Sequence, residues 1–139
     1  MFKVRLAKKK EVPLLLTWAM SKRNRKGVNF RHFIYDEECK KLIIERKGKP
    51  IGVVIVCLDG EIAIFLVPRY HGKNIGLDVL LEAHTWIRHH TKLLKFSIRR
   101  GDYLYANTCS IVADKLFETA GYEQMSCGDW AINIEDLLF

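Results

Sequence analysis

Apolar and polar positions alternate at the start of the chain. Phe2, Val4 and Leu6 are separated by Lys3 and Arg5, the pattern of a half-buried strand. Beyond Lys8-Lys9-Lys10-Glu11, Pro13 sits where a first helical residue loses nothing by lacking an N–H. The spacing predicts a helix over 14–20 with Leu14, Leu15, Trp18 and Ala19 on one face. The basic run 22–27 breaks the pattern and reads as a loop. Phe30, Phe33 and Ile34 then recur at helical spacing and predict a short second helix, closed by the acidic turn Asp36-Glu37-Glu38.

Three strands follow. Residues 42–46 form the first, and Gly48-Lys49-Pro50 turns the chain. Residues 51–58 are rich in Val and Ile, as a central strand buried on both faces would be. Asp59-Gly60 is a two-residue hairpin signal, and 61–67 return antiparallel up to Pro68. Residues 76–90 are helical, with a stripe of Leu77, Leu80, Leu81, His84 and Ile87 widened by Val79, Ala83 and Trp86. Residues 93–98 are strand-like, and Gly101-Asp102 opens a loop. From Asn107, Cys109, Val112, Ala113, Leu116, Phe117 and Ala120 fall at helical spacing, and Gly121 ends that helix at its C′ position. Residues 122–125 and 130–134 are short terminal strands. The expected architecture is one α/β domain over 1–139: a mixed, mostly antiparallel central sheet of about six or seven strands with helices on both faces.

A chain of 139 residues suits one domain, and 49% hydrophobic against 28% charged residues is a globular balance. No apolar run approaches the roughly 20 residues that span a bilayer, so a cytoplasmic protein is expected, without a membrane partner. Cys39, Cys57, Cys109 and Cys127 form no CxxC pair, and no histidine lies at ligand spacing from a cysteine pair. Reduced, mostly buried thiols and no metal are expected. The net charge of +7 is uneven: residues 1–60 hold 15 Lys and Arg against 6 Asp and Glu, the rest 8 against 10. This points to an anionic ligand or an acidic partner surface, or to a solvated basic face. No nucleic-acid motif accompanies the charge, and nucleic acid is not the expected partner.

One stretch carries chemistry. Val67-Pro68-Arg69-Tyr70-His71-Gly72-Lys73-Asn74-Ile75-Gly76 links a strand to an amphipathic helix. A glycine-bearing turn that delivers a helix N-terminus exposes successive backbone N–H groups, and the helix dipole adds partial positive charge. Such a turn suits a phosphate or pyrophosphate, and Arg69 and Lys73 bring full positive charge. It is neither a P-loop, since GK[ST] is missing, nor a GxGxxG fingerprint. An ordinary strand-to-helix turn has the same outline.

Arg69-Tyr70-His71-Gly72-Lys73-Asn74 resembles the R/Q-x-x-G-x-G/A signature of the GNAT superfamily of N-acetyltransferases. Asn107 followed by Leu116-Phe117-Glu118-Thr119-Ala120-Gly121-Tyr122 resembles that family's "N…LYEKxGF" element. The resemblance covers nearly the whole chain in element order. It implies acetyl-coenzyme A as co-substrate, its pyrophosphate held by the backbone of Gly72, Lys73, Asn74, Ile75 and Gly76 beside Arg69. Leu66 and Val67 would lie at the bulged end of a strand, where main-chain groups pair with the pantetheine arm. Asn107 matches an asparagine that contacts pantetheine, although it would equally cap the next helix. Glu61 falls where one branch of the family places a glutamate general base, or is an exposed residue beside a turn.

Two positions depart from the family pattern. Asn74 stands for a Gly or Ala, and Asn tolerates left-handed backbone geometry. Phe117 stands where many members place the tyrosine that protonates the departing thiolate; Tyr103, Tyr105, Cys109 and Ser110 are candidate substitutes. The implied function is acetyl transfer to an amine of a protein or small molecule by direct attack in a ternary complex. The acceptor would lie near the first two helices, where Lys22, Arg23, Arg25 and Lys26 favour a partly acidic one. The alternative is a GNAT-like module that binds a protein or coenzyme A with little or no transfer. Monomer and homodimer both remain open.

Overall fold

A stretch apolar at successive positions, as 51–57 is, has to be covered on both faces. In the computed structural model, which describes residues 2–21, 30–90, 103–108 and 110–137, these residues lie in β3 (Lys49–Cys57), buried from Ile51 to Cys57. β3 is internal to a four-stranded antiparallel sheet ordered β1 (Phe2–Leu6), β2 (Cys39–Arg46), β3, β4 (Ile62–Leu66). Side chains alternate across a strand, so this sheet separates two cores. Ile43, Val53, Ile55, Ala63 and Phe65 pack with Leu15 and Ala19 of α1 (Val12–Ala19) and Ile34 of α2 (Phe30–Tyr35). Leu42, Ile44, Val54, Val56 and Ile62 pack with Val79, Leu80, Ala83 and Ile87 of α3 (Gly76–His89) and Phe117 of α4 (Ile111–Thr119).

One residue breaks the alternation. Ile44 pairs with Gly52 but Glu45 with Pro50, which leaves Ile51 as an extra residue in β3. This β-bulge turns Ile51 into the α3 core. Beside it, Gly52 admits α3 closely: a Cβ there would stand 2.9 Å from Val79 Cγ1.

Both hairpins differ from expectation. The first turn is Lys47-Gly48, both left-handed (φ 54° and 75°), between paired Arg46 and Lys49. Lys49 and Pro50 therefore belong to β3. The second loop has three residues, Leu58 to Gly60, because Cys57 N–H donates to Glu61 C=O (2.8 Å) and Gly60 N–H to Cys57 C=O (2.9 Å). Gly60 takes φ 95°, and a Cβ there would lie 2.3 Å from the carbonyl oxygen of Tyr103. Both facts demand glycine.

The reason for that close approach is a second, antiparallel sheet, ordered β5 (Tyr103–Ala106), β7 (Trp130–Asn133), β6 (Glu123–Gln124). It meets the first at an isolated parallel bridge, Glu61 with Tyr105, where Tyr105 N–H donates to Gly60 C=O (2.9 Å). Leu104, Ala106, Trp130, Ile132, Ile134 and Leu137 complete the α3 core. Among the described residues, seven strands thus stand as sheets of four and three, not one central sheet, with four α-helices. The strand expected over 93–98, the basic loop 22–27 and Cys109 lie outside the described residues.

Helix faces also need correction. α1 buries Leu15 and Ala19, with Val12, Leu16 and Trp18 packed beside them, because its periodicity starts at Val12; Leu14 is exposed. α4 starts at Ile111, and Val112 is 81% exposed, off the buried face. Its end is as expected. Gly121 N–H donates to Glu118 C=O and Tyr122 N–H to Phe117 C=O, a Schellman motif. The hydrophobic contact that accompanies such a motif is Phe117 edge-on to Tyr122, ring centroids 4.9 Å apart.

The thiol expectation fails for two cysteines. Cys39 and Cys57 oppose each other across β2 and β3 and form a disulfide, although they are 18 residues apart. Strand register, invisible to a CxxC search, brings them together. Cys127 is free but exposed. At the sheet edge, Arg5 holds Glu11 in a two-pronged fork (2.7 and 2.9 Å), which ties β1 to the turn before α1. No described helix is long and apolar enough to cross a membrane.

Candidate functional site

The chain leaves β4 through a tight sequence of bonds. Val67 N–H donates to Ile51 C=O (3.0 Å), Tyr70 N–H to Val67 C=O (2.8 Å) and His71 N–H to Pro68 C=O (3.2 Å). His71 then reaches back, its Nε2 3.3 Å from Leu66 C=O. After His71 the bonding stops. Gly72 and Asn74 take left-handed geometry (φ 76° and 54°), which glycine adopts freely and Asn better than most residues. Ile75 is buried, and the first helical bond is Val79 N–H to Ile75 C=O (3.0 Å). Among the described residues no side chain caps the helix. Among the described residues, the consecutive N–H groups from Gly72 to Asp78 meet no partner.

This arrangement is a row of successive donors at the positive end of α3. Lys73 is exposed on it, and Arg69 lies 5.2 Å from the Tyr70 ring, a cation–π distance. Asp78, in the first turn, is the opposing charge. Gly76 touches α4, where a Cβ would meet Leu116 at an ordinary 3.7 Å.

The structure distributes the other expected residues along β4 and β5. Register between β3 and β4 runs unbroken from Gly52–Leu66 to Val56–Ile62, so the bulge the resemblance implies at Leu66 and Val67 is absent there. The bulge in this sheet is Ile51, opposite that end of β4, and it spends the Val67 N–H. Glu61 lies at the far end of β4, about 20 Å away at the usual strand rise. It is half-buried, with its N–H donating to Asp59 Oδ1 (2.9 Å). Asn107 follows β5, beyond the bridge where β4 and β5 part, and is exposed. It does not cap α4; Ser110 Oγ does, accepting the Ala113 N–H (3.1 Å).

Several features were not foreseen. Thr108 Oγ1 and Trp130 Nε1 both donate to Asp114 Oδ1, the latter at 2.9 Å. Those two bonds, Thr108 foremost, hold the Asp114 carboxyl below the usual range and fix the segment after Asn107 against β7. Tyr122 shares a 2.8 Å hydrogen bond with His84 inside the core, where burial pushes its hydroxyl pKa up. Phe117, also buried, packs on Tyr122. Of its candidate substitutes, Ser110 is occupied in capping. Tyr105 donates to Asp59 Oδ2 (2.8 Å) beside Glu61, and Tyr103 is exposed. An open depression of about 500 Å³ lies elsewhere, bounded by Arg31, His32, Tyr35 and Asp36 on and after α2. Among the described residues no group of three His, Cys, Asp or Glu side chains could hold a metal.

No family model and no curated protein matches the sequence. Solved structures do. An aminoglycoside acetyltransferase crystallised with coenzyme A superposes with a TM-score of 0.63 at 16% identity, covering 96% of this chain and 95% of that one. Spermidine N-acetyltransferase from Vibrio cholerae, with coenzyme A and spermine, gives 0.65 at 14% identity over 90% and 82%. The chain has the GNAT N-acetyltransferase fold. A domain from Methanocaldococcus jannaschii DSM 2661 is also similar, with a TM-score of 0.67 at 18% identity over 96% and 98%.

Proposed function

We propose that the protein transfers an acetyl group from acetyl-coenzyme A to an amine, with the turn after β4 as the seat of the pyrophosphate. The carrying observation is the run of unpartnered N–H groups from Gly72 to Asp78 at the start of α3. These residues fit a diphosphate: successive donors stand without partners among the described residues, Gly72 and Asn74 supply the left-handed turns, and Lys73 and Arg69 add charge. Main-chain groups around Leu66 and the Asn107 side chain would line the path of the arm. Two GNAT-fold neighbours crystallised with coenzyme A support the same reading.

Acetyl-coenzyme A supplies an activated thioester carbonyl. The chain's task is to hold the amine against it and remove a proton from the ammonium form, which we assign to Glu61, alone or through water. The amine lone pair would then attack the carbonyl carbon, the carbon–sulfur bond would break with the sulfur leaving as thiolate, and the new amide nitrogen would release its second proton to solvent. Phe117 offers that sulfur no proton. The acceptor would sit towards α1 and α2. The basic surplus of residues 1–60 favours an amine with negative charge nearby over a polycation such as the spermine bound by the Vibrio cholerae enzyme.

The buried Phe117 gives a second reading some support, coenzyme A or protein binding without efficient transfer. Calorimetry with coenzyme A tests the site. Gly72→Trp should weaken binding about tenfold or more, a loss of some 1.4 kcal/mol, in a protein that still unfolds cooperatively. Unchanged affinity in that folded variant would refute the site. Turnover with an amine panel then separates the readings: Glu61→Gln should abolish acetylation without loss of coenzyme A affinity. A chain that binds coenzyme A but acetylates nothing would be the binding module.

A further inference from the structure

We propose that His71 is a positioning residue of the anion site, a clasp that holds the donor row in its binding shape; this rests on the coenzyme A reading above. The row poses a physical problem. Backbone donors without partners gain by rearranging towards any acceptor, and two residues of the turn already sit in left-handed geometry. Something has to hold 72–75 in place before a ligand arrives. On the downstream side that anchor is Ile75, its side chain 5% exposed in the core, followed by the Val79 N–H bond to its carbonyl. On the upstream side the main-chain bonds end with His71 N–H to Pro68 C=O. Val67 N–H fastens the start of the turn to Ile51 of β3, but the later bonds wind the turn locally and do not fasten its far end to the sheet.

The His71 ring does. It crosses five residues to the carbonyl of Leu66, the last residue of β4. A carbonyl only accepts, so Nε2 carries the proton and donates, whether or not Nδ1 is also protonated. The ring is half-buried, which shields the bond partly from water. With His71 and Ile75 fixed, Gly72 to Asn74 span a closed gap of three residues. A turn ordered in advance spares the ligand the conformational cost of ordering it.

The test uses the full chain with coenzyme A, and with ADP as a probe of the diphosphate seat alone. His71→Ala removes the donor; His71→Gln restores an amide N–H at similar reach. Calorimetry should show coenzyme A and ADP weakened about tenfold in the alanine variant, near the upper worth of one net hydrogen bond. The glutamine variant should recover to within about threefold of the parent. Hydrogen exchange in the ligand-free protein is the independent readout. The amides of residues 70 and 71, which are bonded within the turn, should exchange about tenfold faster with alanine than with histidine or glutamine, while core amides of β3 stay unchanged. Alanine binding like the parent, or glutamine as weak as alanine, overturns the clasp. If the parent binds no coenzyme A, the functional reading fails and the ligand role of His71 with it. Altered exchange would then still separate that failure from an absent clasp.

Discussion

Gly52 sets how deeply α3 can sit on the sheet, and Gly52→Ala measures what that depth is worth. The added methyl would stand 2.9 Å from Val79 Cγ1, 3.2 Å from Val79 Cγ2 and 3.2 Å from Leu66 Cδ2. Carbon atoms in contact prefer roughly 3.5–4.0 Å, so the shortfall is well over half an ångström. Val79 is fully buried and β-branched, and has no rotamer to retreat into. The helix must move outward, or the strand inward against a packed core. Overpacking of this size typically costs about 1–3 kcal/mol. For a domain of this length that is roughly 3–10 °C in Tm. Because Val79 lies in the first turn of α3, the displacement also misaligns the donor row, and coenzyme A affinity should fall with stability. Thermal denaturation and calorimetry read the two effects. The control is a double-mutant cycle: Val79→Ala alone leaves a cavity, but beside Gly52→Ala it vacates the space the new methyl needs. The pair should couple favourably by about 0.5–3 kcal/mol. Strict additivity, or a Gly52→Ala protein as stable as the parent, would refute the claim that this glycine exists for helix approach.

Three further outcomes follow from the geometry. Gly60→Ala puts a Cβ 2.3 Å from the Tyr103 carbonyl at φ 95°, so it should cost about 2–4 kcal/mol through strain and loss of the bridge between sheets; an unchanged urea midpoint would contradict this. The Arg5 fork holds Glu11 down to about 2 from 4.5, so its stabilisation is complete above pH 4.5 and is lost as pH falls towards 2. Discounted for screening at partly exposed groups, that is about 1–2 kcal/mol; between pH 6 and 2.5 the parent should lose that much more than Glu11→Gln, and equal losses would dismiss the fork. Phe117→Tyr adds a hydroxyl beside Tyr122 in the core and should cost about 1–3 kcal/mol, read by thermal unfolding. An unaltered Tm would mean that the para position opens on the cleft, where a hydroxyl could reach a leaving sulfur.

What was legible in the sequence was whatever repeats over several residues. The Val and Ile run of β3 and the stripe of α3 announced themselves because each period is sampled many times. Gly121 was readable because a helix stop of that kind needs glycine. What escaped depended on one residue or on distant register. A single extra residue at Ile51 shifts a bulge from the strand where the resemblance implied it to its neighbour. Ser110 and Asn107 are equally good caps on paper, and only the start of α4 at Ile111 chooses between them. Cys39 and Cys57 meet through pairing that no linear spacing encodes. At the candidate site the turn was visible as a glycine-bearing strand-to-helix link. The reach of His71 to Leu66 was not, because a histidine in a loop carries no sign of where its ring will bond.

The isolated bridge between Glu61 and Tyr105 also bears on how the molecule assembles and how it opens. β2, β3 and β4 are joined by short hairpins and can zip up from local contacts, whereas the bridge closes a loop of more than forty residues. Non-local pairings of this kind form late, because the chain entropy of closure precedes any reward. Tethered among the described residues by a single rung and held elsewhere by side-chain packing, the two sheets resemble the leaves of a book bound at the spine. Fluctuations that spread the leaves away from that rung cost, among the described residues, side-chain packing and not further main-chain pairing.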